Sequence, residues 1–151
     1  MNNEKQIKDI LETKGVFVST TTGASMYPML RDRKDTIIVH ACEKRLKKYD
    51  VALYRSKGKY ILHRVIRVEE DCYVMRGDNC DFKEYGIKDE QILGVLTGFY
   101  RGEKEINMNG IGYQLYVNLY CRVYAFQWIW RRARGVFGKI RRLIRKGYKN
   151  V

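Results

Sequence analysis

The chain has one proline and two histidines in 151 residues. The lone proline, Pro28, ends the run Gly23-Ala24-Ser25-Met26-Tyr27-Pro28 and is followed by Met29-Leu30. It fixes its own φ and moves Tyr27 out of helical geometry, while Gly23 permits a tight turn ahead of the serine. The scarcity of histidine limits imidazole bases to His40 and His63. Four cysteines, Cys42, Cys72, Cys80 and Cys121, form neither a CxxC pair nor a Cys/His cluster, which excludes the common zinc arrangements. They read as free thiols of a reduced compartment; the sequence leaves a Cys72–Cys80 bridge open. No apolar run reaches the roughly 18 residues that a spanning helix needs. Met1 to Lys14 is polar and holds no apolar core of an export signal. The expectation is a chain without signal peptide or transmembrane span, cytoplasmic or associated with a membrane from the cytoplasmic side.

Acidic residues are also absent from one part of the chain. Thirty Lys and Arg stand against seventeen Asp and Glu, a net charge of +13, and no acid follows Glu105. The body is therefore nearly balanced and the tail strongly basic. The sequence predicts three parts: an N-terminal helix within 1–15, a body at 16–105, and a basic amphipathic tail at 106–151.

What is present reads as mainly β. Asn3 to Lys14 puts Ile7, Ile10 and Leu11 on one helical face, with Gly15 as its stop. Six runs rich in β-branched or aromatic residues follow: Val16–Val18, Thr36–Val39, Val51–Tyr54, Tyr60–Val68, Cys72–Met75 and Ile92–Phe99. Turns such as Ser56-Lys57-Gly58-Lys59 separate them, and the spacing predicts a small, barrel-like antiparallel β body. In the tail, Leu119, Val123, Phe126, Trp130, Ala133, Phe137, Ile140 and Ile144 recur at helical spacing, with Arg and Lys between them. A basic helix with an aromatic stripe suits an anionic membrane surface, and Trp128, Trp130, Arg131, Arg132 and Arg134 are the candidate contacts. The alternatives are packing on the body or a partner, and, less favoured, nucleic acid.

Three segments carry possible chemistry. Ser25 sits in the rigid turn, and a serine becomes a nucleophile when a base is held against it. His63 lies in a strand and shares a face with Ile61 and Val65; His40 ends another strand. Asp78, in Arg76-Gly77-Asp78-Asn79, is a turn residue or a carboxylate suited to orienting an imidazole.

In chain order these segments, Ser25-Met26-Tyr27-Pro28, Tyr49-Asp50-Val51-Ala52-Leu53-Tyr54, His63-Arg64-Val65-Ile66 and Gly77-Asp78-Asn79, resemble the four boxes of the signal peptidase I superfamily, which also holds self-cleaving repressors. The likeness covers Val16 to Gly102. With His63 where the bacterial enzymes and repressors carry lysine, the chain looks like the endoplasmic-reticulum-type branch. The resemblance implies the fold of that superfamily and a serine endopeptidase acting on a signal or leader peptide through an acyl-enzyme. Ser25 would attack, His63 would take its proton, and Asp78 would support His63, with Glu84 or Asp81 as a second acid. No metal or organic cofactor is implied; the partners are a precursor peptide, an anionic membrane surface and an export or peptide-maturation partner. Two turns depart from the family pattern: Lys34-Asp35 stands for Gly-Asp, and Tyr49 stands where glycine is common. The alternative is a non-catalytic module on the same scaffold that binds membrane or nucleic acid.

Overall fold

The computed structural model describes residues 3–122. Helix α1 (Asn3–Lys14) stops as expected at Gly15, whose φ of 71° is left-handed and whose amide donates to the carbonyl of Leu11 at 3.0 Å. That single bond is the αL form of helix ending, which glycine enters without a Cβ clash. The Gly15 carbonyl then accepts from Ala41, joining the helix stop to the sheet.

Eight strands follow: β1 (Val16–Thr20), β2 (Asp35–Ala41), β3 (Val51–Ser56), β4 (Lys59–Val68), β5 (Tyr73–Arg76), β6 (Glu84–Ile87), β7 (Ile92–Arg101) and β8 (Lys104–Asn107). They form one antiparallel sheet ordered β1-β2-β7-β3-β4-β5-β6, with β8 on β7. The sheet curls into a half-barrel, so the protein is mainly β as its patterning predicts. All six expected strands are present. The two extra ones are four residues long, β6 interrupted by Gly86 and β8 opening on Lys104-Glu105, so neither shows a period-2 apolar pattern. The β3–β4 hairpin turns on Lys57 and Gly58, both with positive φ, the geometry of a type I′ connection.

The core on one face of the sheet is built from Leu46, Ala52, Tyr54, Val65, Tyr73, Met75 and Ile87. In the β3–β4 register Ala52 stands opposite His63 and Tyr54 opposite Ile61. Directly opposed residues share a face, so His63 is carried on the same face as this core.

The chain divides into compact units after Gly110, and the body boundary expected at 105 falls inside β8. In the second unit α2 (Ile111–Tyr116) runs into a π turn at Val117–Cys121, along which Tyr116 and Tyr120 stack with ring centroids 5.1 Å apart. The tail stripe beyond Arg122, with Trp128, Trp130, Arg131, Arg132 and Arg134, lies outside the described residues. No helix among the described residues is long and apolar enough to cross a membrane. All four cysteines are free thiols, so Cys72 and Cys80 are not bridged.

Candidate active site

The Ser25 loop is held from several directions. The Gly23 amide donates to Asp32 Oδ1 at 2.7 Å, and Gly23 itself has a φ of 93°. Leu30 donates back to the Met26 carbonyl at 2.9 Å, giving one helical turn around the cis Tyr27–Pro28 bond. At the far end buried Asp35 closes the loop: its carboxylate accepts from the Arg31 amide and from two nitrogens of the Arg31 guanidinium, at 2.9, 2.9 and 2.6 Å. Ser25 is thereby left half-buried on a fixed backbone.

The opposite wall is the turn after β5. Asn79 donates its amide to the Ser25 carbonyl at 2.7 Å and its side-chain nitrogen to the Ala24 carbonyl at 3.1 Å. Gly77 lies between serine and histidine. A Cβ there would stand 2.7 Å from the Ser25 carbonyl oxygen, 2.7 Å from Cys80 Sγ and 2.9 Å from His63 Nε2. Those distances are inside any real Cβ contact, so only glycine allows the serine loop and the imidazole to approach this closely. The Ser25 carbonyl oxygen and His63 Nε2 thus flank the same point above Gly77, which makes the serine loop and the imidazole neighbours.

His63 is 3% exposed. Its Nδ1 faces the Tyr54 hydroxyl at 3.1 Å and Glu84 Oε1 at 3.2 Å, while the same hydroxyl donates to Glu84 Oε1 at 2.8 Å. Burial pulls the His63 pKa below its ordinary 6.5, and Glu84 and then Asp78 oppose that pull. The imidazole is thus neutral at neutral pH, with Nδ1 on the carboxylate side and Nε2 on the serine side. Burial, reinforced by Glu84, raises the Tyr54 phenol and keeps its proton in place.

Asp78 stands elsewhere than at Nδ1. Its two oxygens accept from Arg64 Nε and Nη2 at 2.8 and 2.7 Å, a buried bidentate pair. Arg64, fully buried, also donates to the Tyr49 carbonyl at 3.0 Å and has Nη2 at 3.1 Å from Met29 Sδ of the serine loop. One guanidinium therefore joins the Asp78 turn, the turn before β3 and the serine loop. Of the two further acids, Glu84 meets the imidazole and Asp81 is exposed. The other histidine, His40, is exposed on β2 with Nδ1 2.7 Å from Thr97 Oγ1.

Tyr54, Arg64, Gly77 and Asn79 were given no role from the sequence. All four lie inside or beside the motif boxes, but their work is tertiary: each acts on a residue of another segment. Tyr49 explains one departure from the family pattern. Its φ is 79°, where glycine is favoured, so the chain accepts strain at a position that suits glycine.

A cavity of about 360 Å³ opens beside Ser25. Its walls include Phe17 of β1, Met26 and Leu30 of the loop, Leu53 of β3 and Leu62 of β4. Strand β1 forms one edge of the sheet, and among the described strands β4 is paired by β3 alone from Lys59 to His63.

A family model described as Peptidase S24-like matches residues 3–97, from α1 into β7, and so includes every residue of this site. No curated protein matches the chain.

Proposed function

We propose, from the premise that the chain belongs to the Peptidase S24-like family, that it is a serine endopeptidase cleaving a signal or leader peptide with a Ser25–His63 pair. One observation carries this reading. A neutral, buried imidazole presents Nε2 to the serine loop across Gly77 while its other nitrogen meets Glu84.

The residues have defined tasks. Ser25 Oγ attacks the scissile carbonyl carbon as His63 Nε2 takes its proton. Glu84 stabilises the imidazolium that forms, and Asp78, neutralised in part by Arg64, adds a weaker field. The amides of Ser25 and Met26, which meet no acceptor among the described residues, are the candidate donors to the oxyanion. His63 then protonates the leaving amine, and water attacks the acyl-enzyme with the imidazole again as base.

The substrate is an extended peptide. The cavity beside Ser25, walled by Phe17, Met26, Leu30, Leu53 and Leu62 with Thr20–Thr22 at its polar side, suits short side chains ahead of the scissile bond, in line with the family's preference for small residues there. The sheet edges beside it offer main-chain pairing to such a strand. The histidine base supports the endoplasmic-reticulum-type branch. An anionic membrane surface, met through Trp128, Trp130, Arg131, Arg132 and Arg134, is the second partner in this reading.

A fluorophosphonate probe tests the proposal. It is expected to label the full-length protein at Ser25, and His63→Ala and Ser25→Ala are each expected to abolish labelling while the fold is retained by circular dichroism. A folded wild type that stays unlabelled overturns the peptidase reading.

A further inference from the structure

The Tyr54 hydroxyl belongs to a three-membered cluster at the back of the imidazole, and proton counting assigns it a role. An ionised Glu84 can only accept hydrogen bonds. Tyr54 has one proton, and it goes to Glu84 Oε1 at 2.8 Å. The phenol oxygen therefore offers only a lone pair to His63 Nδ1 at 3.1 Å, so Nδ1 must carry the ring proton and Nε2 must be bare. The same Oε1 lies 3.2 Å from Nδ1. Tyr54 thus donates to the very oxygen that faces the imidazole and draws charge from it.

We propose that Tyr54 is a positioning residue of the catalytic histidine: it holds the Nδ1–H tautomer and weakens the pull of Glu84 on His63. This inference rests on the Ser25–His63 reading above. The titratable and charged groups facing His63 are Tyr54 from β3, Glu84 from β6, and Asp78 and Cys80 from the turn after β5, with Arg64 of β4 balancing Asp78. Of these, only Tyr54 touches both Nδ1 and the carboxylate that faces it.

The sign of the effect follows. Without the hydroxyl, Glu84 keeps its full charge for Nδ1–H, the imidazolium is favoured, and the His63 pKa rises. A phenol made more acidic donates more strongly to Glu84 and moves the His63 pKa down.

The test is an NMR titration of the two histidines in the full chain, with exposed His40 as internal reference. Tyr54→Phe is expected to raise the His63 midpoint by about half a unit or more. The low-pH limb of fluorophosphonate labelling should move the same way. Should Tyr54→Phe fail to fold, 3,5-difluorotyrosine placed at position 54 keeps the shape and is expected to shift the midpoint downward. A His63 midpoint that stays put in a folded variant, or moves in the opposite sense, overturns the proposal. The titration needs no turnover, so it fails or succeeds independently of whether the wild type is labelled.

Discussion

At the residue scale the most consequential side chain is Arg64. It is fully buried and paired with a carboxylate only 2% exposed. Breaking such a pair from one side strands the other charge, so Arg64→Met is expected to cost about 3–5 kcal/mol in a urea titration. Adding Asp78→Asn to that variant should recover part of the loss, because the stranded charge is gone; an additive double variant would show that the pair is not the cause. His63 sets the pH dependence. Its native pKa lies below 6.5 because burial disfavours the charged ring. Between the native and unfolded values the unfolded chain binds more protons, so stability contributed by His63 is present above 6.5 and lost as pH falls through that window. On the proposed mechanism activity has the same sense, since only the neutral ring accepts the serine proton. Labelling rates are therefore expected to rise with pH with a midpoint below 6.5, and a midpoint above 6.5 would contradict the burial argument.

At the element scale the serine loop and the turn after β5 act as a pair, held by Asn79 on one side and by Asp35 at the loop's base. Asp35 receives three hydrogen bonds from Arg31, and bonds to a charged group are worth ~1.5–3 kcal/mol each. Asp35→Asn is expected to destabilise by about that amount and to slow labelling of Ser25 through a looser loop, read by hydrogen exchange across Thr21–Leu30. Gly77→Ala tests the close approach itself. Its methyl must push apart the Ser25 carbonyl and His63 Nε2, so labelling should be lost while circular dichroism is retained. Full labelling would mean that the serine and histidine do not need this proximity.

At the scale of the whole molecule, a balanced β body is followed by a tail with no acidic residue after Glu105. Each basic side chain near an anionic bilayer contributes about 1 kcal/mol, so a chain ended at Cys121 should sediment with anionic vesicles far less than the full chain. Equal sedimentation of the two would remove the membrane from the functional reading.

The sequence by itself determined the β class, the helix stop at Gly15, the lysine-glycine hairpin and the short list of Ser25 and His63. These are local properties: a period, a φ preference, or a residue type too rare to have many substitutes. Strands β6 and β8 escaped it because four-residue segments with charged positions carry no period of their own and exist only by pairing with β5 and β7. The division of labour among the acids was beyond it as well. Asp78 and Glu84 are both carboxylates near the same turn, and nothing in their spacing says which meets Arg64 and which meets His63. The curl of the sheet decided that, by setting Tyr54 and Glu84 behind the imidazole and bringing Gly77, whose missing Cβ leaves the room, between the serine loop and Nε2.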